Sequence, residues 1–354
     1  MKDSWKAAMQ EATRLTRAGQ VAEAAALIGR ALSKGPSAPE PGAASGSVID
    51  GEFEVVRDAH APASVESPGW SSGTFANASG ARDYRFFVPP PGPRADAPRP
   101  LLLMLHGCTQ DPDDFVASTR MQALAMEQGV YLLCPAQSVA ANANRCWGWY
   151  EETNQSVDQG EPGIIAGLVR QILSSHPVDR RRVYVAGFSA GGAMAATLAA
   201  LYPELFAAAG VHSGLVYGAA RDLMSALVVM HQGAPAANAS LGLGRAPVPM
   251  ILFQGDADAT VHPNNAARLI AQAGFVVGGP DERPAEQGRV PDGYAYSRWV
   301  YADPAGRRCA EFWSIHGAGH GWSGGSALHA FTEPQGPDAS REILRFFLEH
   351  PKGG

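Results

Sequence analysis

The chain is short of charge, of cysteine and of long apolar runs. Charged residues are 18% of its 354 positions and the formal net charge is −6. With no basic stripe to meet a phosphate backbone, nucleic acid is not an expected partner. No run of about 18 apolar residues is present, so no helical membrane span is expected. The opening MKDSWKAAMQEATRLTRAGQ has no apolar core of a secretory signal, which points to the cytoplasm. Four cysteines (Cys108, Cys134, Cys146, Cys309) permit at most two disulfides, too few for a disulfide scaffold. His106, His212 and His231 are scattered and lack partner ligands, so neither a metal nor another cofactor is expected.

What is present is apolar surface for a core and many shaped loops: 45% hydrophobic residues, with Gly 40 and Pro 27. A chain of this size buries roughly three-quarters of its extended surface, enough for one substantial core. Residues 1–34 read as a helical hairpin, DSWKAAMQEATRLTRA and QVAEAAALIGRALS, broken at Gly19. It resembles one unit of a tetratricopeptide repeat, but one copy cannot stack into a solenoid. An appendage that docks on the main body or joins subunits into a homo-oligomer is therefore expected. Residues 35–69 read as a linker, with GPSAPEPGAASG at its start.

From residue 70 to 354 short apolar strands alternate with helical stretches. The strands are LLLMLH, VYLLCP, RRVYVAG, AAAGVHS, PMILFQG and AEFWSIHG. Helices are expected over 113–128, 162–176, GAMAATLAALYP, 263–273 and DASREILRFFLEH, the last capped by Asp338 or Ser340. Apolar strands without alternation, separated by helices, predict an α/β fold. Its sheet should be mostly parallel and covered on both faces.

Ligands of such sheets sit beyond the carboxyl ends of the strands. There the chain reads GFSAGGAM, from Gly187 to Met194. Gly-x-Ser-x-Gly between a strand and a helix is a nucleophile elbow, whose turn is too sharp for side chains two before or two after the serine. That accounts for Gly187 and Gly191 and exposes Ser189 in front of a helix N-terminus, where negative charge is favoured. By itself the pentapeptide arises by chance in a chain rich in Gly, Ala and Ser. Its strand–turn–helix setting is what singles it out.

A hydroxyl needs a base, and the base needs an acid to orient it. In this fold they follow in the order Ser, Asp or Glu, His. QGDADATVHP offers Asp256 and Asp258, and HGAGHGW offers His316 and His320. Asp256 is close enough to the strand tip to shape the turn by an Asx bond. Asp258 lies further out and is the preferred acid, its competing role being the cap of helix PNNAARLI. His320, on a glycine-rich loop, is the preferred base, whereas His316 ends a strand. His262 fits a helix start and His106 fits ordering of its own loop. For the oxyanion, the amides of Ala190 and of Cys108 in HGCTQ are the expected donors. NRCWGWYEE gathers Trp147, Trp149 and Tyr150, and with Trp322 these are expected to wall a cleft for an apolar or aromatic group, a satellite core being the alternative. Cys146 can bridge to Cys108 if their loops meet.

LHGCTQDPDDF, CPAQ, NRCWGWY, GEPGIIAGLVRQ, VDRRRVYVAGFSAGGAM, FAAAGVHSGL, QGDADATVHP and GAGHGWSGG together resemble the polyhydroxybutyrate (PHB) depolymerase family of α/β-hydrolase esterases. The likeness runs from about residue 82 to 350. It implies a triad of Ser189, Asp258 and His320, oxyanion amides at Cys108 and Ala190, and a Cys108–Cys146 disulfide. It also implies an extracellular setting, against the missing signal. Phe188 replaces the usual leucine of GLSAGG and is expected to reshape the pocket floor. Secreted members that attack solid polymer usually carry a further polymer-binding domain. The chain stops at PKGG, so attack on crystalline polymer is not expected.

The expected activity is serine carboxylic-ester hydrolysis through an acyl-enzyme, on short-chain esters or soluble 3-hydroxyalkanoate oligomers and amorphous polyester. Feruloyl or acetylxylan esterase is the nearest alternative. A peptidase or thioesterase on the same scaffold, and a non-catalytic adapter that binds a partner, are the alternatives of other kinds.

Overall fold

The computed structural model describes residues 69–91, 97–235, 248–275, 283–303 and 305–353. The expected hairpin, residues 1–34, and all but the last residue of the expected linker lie outside them. The first half runs Trp70–Asn77 (β1), Gly80–Phe87 (β2), Arg99–Leu105 (β3), Pro112–Thr119 (α1), Met121–Gln128 (α2), Tyr131–Pro135 (β4), Gly160–Ser175 (α3), Val178–Phe188 (β5) and Ala190–Leu201 (α4). Then come Ala208–His212 (β6), Leu223–Gln232 (α5), Met250–Gly255 (β7), Asn264–Gln272 (α6), Glu286–Arg289 (β8), Ala295–Ala302 (β9), Arg308–His316 (β10), Trp322–Ser323 (β11), Thr332–Glu333 (β12) and Ala339–Glu349 (α7).

Ten strands form one sheet in the order β1-β2-β4-β3-β5-β6-β7-β10-β9-β8. The six central strands, from β4 to β10, are parallel. Both ends are antiparallel. The absence of polar alternation in the central strands has a direct cause, since both faces are covered. Leu101, Leu103 and Leu105 of β3 pack into a core with α3 and α4, while Leu102 and Met104 pack into the opposite core with α1, α2 and α7. β4 and β5 divide their residues in the same way.

Two local features differ from the sequence expectation, and a choice it left open, the cap of the last helix, falls to Asp338. The helix expected over 113–128 is two helices, because Arg120 sits at φ 58 between them. Its guanidinium donates to Gly324 O and to the Asp338 carboxylate. Asp338 is the cap of α7, accepting from Arg341 N at 3.0 Å. Ser340 instead accepts from Trp322 Nε1 and donates to Thr119 O. Finally, the described part of 275–298 contributes β8 and the start of β9 to the sheet edge, strands that no apolar run in the sequence marks.

Strand register fixes where function can sit. Leu105 lies opposite Gly187, Phe188 opposite His212, His212 opposite Phe253, and Ile315 opposite Gly255. The loops leaving β3, β5, β6, β7 and β10 therefore emerge side by side along one edge. Behind that edge, Glu311 of β10 is buried and accepts from Arg298 of β9 and Arg345 of α7, tying three elements together.

Candidate active site

The turn after β5 is as tight as the glycines imply. A Cβ on Gly187 would lie 2.2 Å from Gly191 O, and one on Gly191 would lie 2.1 Å from Leu105 O. Ser189 between them has φ 54 and ψ −119, a conformation held at a cost of about 1–3 kcal/mol. Its N–H donates to His212 O at 2.9 Å, and its carbonyl accepts the first bond of α4 from Ala193 N at 2.9 Å. Alanine and glycine let that helix pack so closely that nearly every residue in it is buried.

His320 Nε2 lies 3.0 Å from Ser189 Oγ, and its Nδ1 lies 2.8 Å from Asp258 Oδ2. With an acid only able to accept, Nδ1 carries the proton and Nε2 is free to accept from the serine hydroxyl. Asp258 is buried. Its Oδ1 accepts from Thr260 N and Val261 N, and Oδ2 also accepts from Gln254 Nε2 at 3.0 Å. Burial pushes its carboxyl up, but the His320 bond and charge and the two amides outweigh that and hold it below the usual range. It does not cap α6, which begins after Pro263.

The other aspartate and histidine pair with each other. Asp256 Oδ2 meets His316 Nδ1 at 2.9 Å, Asp256 Oδ1 accepts from Gly317 N at 2.7 Å, and His316 Nε2 meets Ser297 Oγ at 2.9 Å. The Asx-type turn bond expected of Asp256 is thus made by Asp258, to Thr260 N. His262 accepts from Asn264 N at the start of α6.

The HGC loop abuts the elbow. A Cβ on Gly107 would lie 2.8 Å from the Phe188 ring, and one on Gly191 would lie 2.5 Å from His106 O. His106 orders this loop: Nδ1 meets Gly107 O at 2.8 Å and Nε2 accepts from Gln137 N at 3.1 Å. Burial drives its pKa down to about 4, which keeps it neutral. Flanking Cys108, Gly107 N donates to Gln110 Oε1 and Thr109 N donates to Asn144 O. Cys108 is disulfide-bonded to Cys146, so the bridge pins one loop to the other. Ala190 is the first residue of α4, where an N–H precedes the first intrahelical bond.

The aromatic cleft wall is not what the structure contains. Trp147 and Trp322 are sealed from solvent, at 0% and 1% exposure, and are core residues. Trp147 Nε1 donates to His106 O at 3.1 Å, and Trp322 stacks on His212 with centroids 5.1 Å apart. Phe188 is buried behind the imidazole of His320, 4.9 Å from it, so it supports the histidine instead of flooring a pocket. Trp149 is also buried and meets Tyr150 edge-on. Of the five aromatic candidates only Tyr150 is partly exposed, and it too packs against the core. A large indole next to glycine fills volume under a loop, a use that composition does not distinguish from a wall.

Sequence reasoning missed two supports. His212 is buried among Phe188, Phe253 and Trp322. Its Nε2 accepts from Ser323 N at 2.9 Å, three residues past His320. Burial lowers its pKa to about 3. Gln254 is the other, and its signal was visible: a lone polar side chain in the apolar strand MILFQG.

A groove of about 810 Å³ opens beside the HGC loop. Asp111, Asp113, Arg145, Arg85, Gln137 and Ser138 are among its lining residues. Asp111 stands three residues after Cys108 and Arg145 directly precedes Cys146.

Comparison with known proteins gives one family. The family model "Esterase PHB depolymerase" matches residues 81–286, a span that includes Cys108, Cys146, Ser189 and Asp258 and ends before His320. Poly(3-hydroxyalkanoate) depolymerase C of Paucimonas lemoignei is 35% identical over 242 residues, covering 66% of this chain and 56% of that protein. The chain thus spans little more than half the length of that relative. Feruloyl esterase B of Thermothelomyces thermophilus is 30% identical over 199 residues, covering 52% and 67%. Among solved structures, an acetyl xylan esterase from Aspergillus awamori superposes with a TM-score of 0.60 at 20% identity, over 78% of this chain and 98% of that one. That likeness shows the α/β-hydrolase fold.

Proposed function

Since the chain belongs to the esterase PHB depolymerase family, we propose that it hydrolyses carboxylic esters through Ser189, His320 and Asp258. The observation that carries this reading is the unbroken relay Ser189 Oγ–His320–Asp258, at 3.0 and 2.8 Å, beside a strained serine at a helix N-terminus. His320 Nε2 takes the hydroxyl proton as Ser189 Oγ attacks the ester carbonyl, and Asp258 stabilises the imidazolium and fixes its tautomer. The tetrahedral oxyanion is met by the amides of Ala190 and Cys108. The imidazolium returns its proton to the departing alcohol, leaving an acyl-serine. His320 then draws a proton from water, which attacks the acyl carbon and frees the acid and Ser189. Every proton is passed between His320 and the reacting oxygens.

The proposed substrates are short-chain esters and soluble or amorphous 3-hydroxyalkanoate oligomers. A second reading, esters of polyhydroxylated alcohols such as the feruloyl and acetylxylan types, is favoured by the polar groove. Its lining includes the Asp111 carboxylate, three residues after Cys108, and the Arg145 guanidinium, next to Cys146, with Asp113, Arg85 and Gln137 further along the chain. Ser189→Ala tests the chemistry: ester turnover and labelling by a fluorophosphonate should both vanish while the melting temperature is kept. Turnover persisting at near wild-type rate would refute it. A panel of acyl chain lengths against sugar acetates and feruloyl esters separates the two substrate classes.

A further inference from the structure

The loop that bears His320 reads HGAGHGW, with Gly317, Gly319 and Gly321 around the histidine. Gly317 has φ 85. Glycine frees a backbone more than any other residue, so such a loop does not hold an imidazole by itself. Something outside it must. Glu333 is placed to do so from both sides of His320.

Behind the histidine, the backbone of Glu333 is bolted to the chain that follows it. β12 pairs with β11, Trp322 opposite Thr332 and Ser323 opposite Glu333, and Gly324 N donates to Glu333 O at 2.8 Å. Trp322 N donates to Phe331 O at 2.8 Å, and Phe331 turns the strap at φ 58. Ahead of the histidine, the side chain reaches back, and Oε1 accepts from Gly319 N at 3.1 Å. The carboxylate packs closely on both glycines: a Cβ on Gly319 would lie 3.2 Å from Glu333 Oε1, and one on Gly321 would lie 3.0 Å from Glu333 Cγ. The other oxygen, Oε2, accepts from Tyr294 OH at 3.0 Å, which fixes the carboxylate's own orientation. Asp256 makes the matching bond one step earlier, to Gly317 N.

We propose that Glu333 is a positioning residue for His320, spanning the histidine so that Gly319 and Gly324 are held to its side chain and its backbone. This rests on the reading of His320 as the general base. A base displaced by about 1 Å costs on the order of a hundredfold in rate, whereas substrate binding is untouched. Glutamine keeps the geometry, since its oxygen accepts from Gly319 N and its amide donates to the tyrosine oxygen.

The test measures kcat, KM and melting temperature on p-nitrophenyl butyrate for Glu333→Ala, Glu333→Gln, Tyr294→Phe and Ser189→Ala. Glu333→Ala should lose about tenfold to a hundredfold in kcat with KM within about twofold. Glu333→Gln should recover most of that loss, and Tyr294→Phe should show a smaller fall in kcat alone. The inference is overturned if Glu333→Ala turns over within about twofold of wild type, or if glutamine loses as much as alanine. Should the alanine variant fail to fold, the other two decide: near wild-type kcat in Glu333→Gln with a kcat-only loss in Tyr294→Phe supports it, and an unaltered Tyr294→Phe overturns it. Activity surviving in Ser189→Ala would instead remove the catalytic reading on which Glu333 depends.

Discussion

Two aspartates and two histidines lie within a few residues at the ends of β7 and β10, and each finds a different partner. Asp256 and His316 leave their strands first and join near the sheet, half exposed to solvent. Asp258 and His320 lie further out, where the acid is buried and the imidazole reaches Ser189. Distance from the strand tip sorts the pairs, and that much was legible from spacing alone. The burial of Trp147 and Trp322 was not, because it depends on chain segments far away: Trp322 is capped by Ser340 and Trp147 by His106. The two aspartates make opposite predictions. Asp258→Asn places an amide against Nδ1 and favours the wrong tautomer, so kcat should fall about 10³- to 10⁴-fold. Asp256→Asn should lose less than about tenfold, since an amide oxygen still accepts from Gly317 N. Steady-state rates on one ester compare them, and a larger loss in Asp256→Asn would reverse the assignment of the acid.

Among the elements, the loops after β3 and β4 are irregular and tied to each other. Thr109 and Arg145 both adopt positive φ, and the Cys108–Cys146 bridge closes the segment between them. The cysteines are 38 residues apart, a loop whose closure contributes about 4 kcal/mol in the chain-entropy picture. Cys146→Ser should therefore lower the melting temperature by several degrees. It should also slow turnover, because the amide of Cys108 would no longer be pinned beside the elbow. A thiol reductant should do the same to the wild type and nothing more to the variant; a wild type indifferent to reduction would contradict this role. The strands at the sheet ends were hard to foresee for a related reason. β1, β8 and β9 are half exposed along most of their length, so their sequences carry no strong apolar signal. The central strands, buried on both sides, announced themselves.

For the molecule as a whole, two neutral imidazoles are built into the interior next to the site. Burial holds His106 at a pKa of about 4 and His212 at about 3, against 6.5 for a free histidine. Both accept a backbone N–H at Nε2, from Gln137 and Ser323, and protonation would remove those bonds. Because their folded pKa values lie below the unfolded one, the unfolded chain binds more protons between about pH 6.5 and pH 3–4. Stability is thus intact above that window and falls as acid is added, by up to about 1.4 kcal/mol per pH unit for each histidine. Urea unfolding at intervals from pH 8 to pH 4 should show this slope, and His106→Gln should flatten it; a midpoint constant down to pH 4 would be inconsistent with it.

Ser189, Asp258 and His320 come from the tips of β5, β7 and β10, the first and last separated by 131 in sequence. No fragment that lacks any of those strands can present all three groups together. A nascent chain leaving a ribosome should therefore remain inert toward esters until β10 has docked. The appearance of a coloured product would then time the completion of the sheet, which would make the protein a gauge of its own assembly.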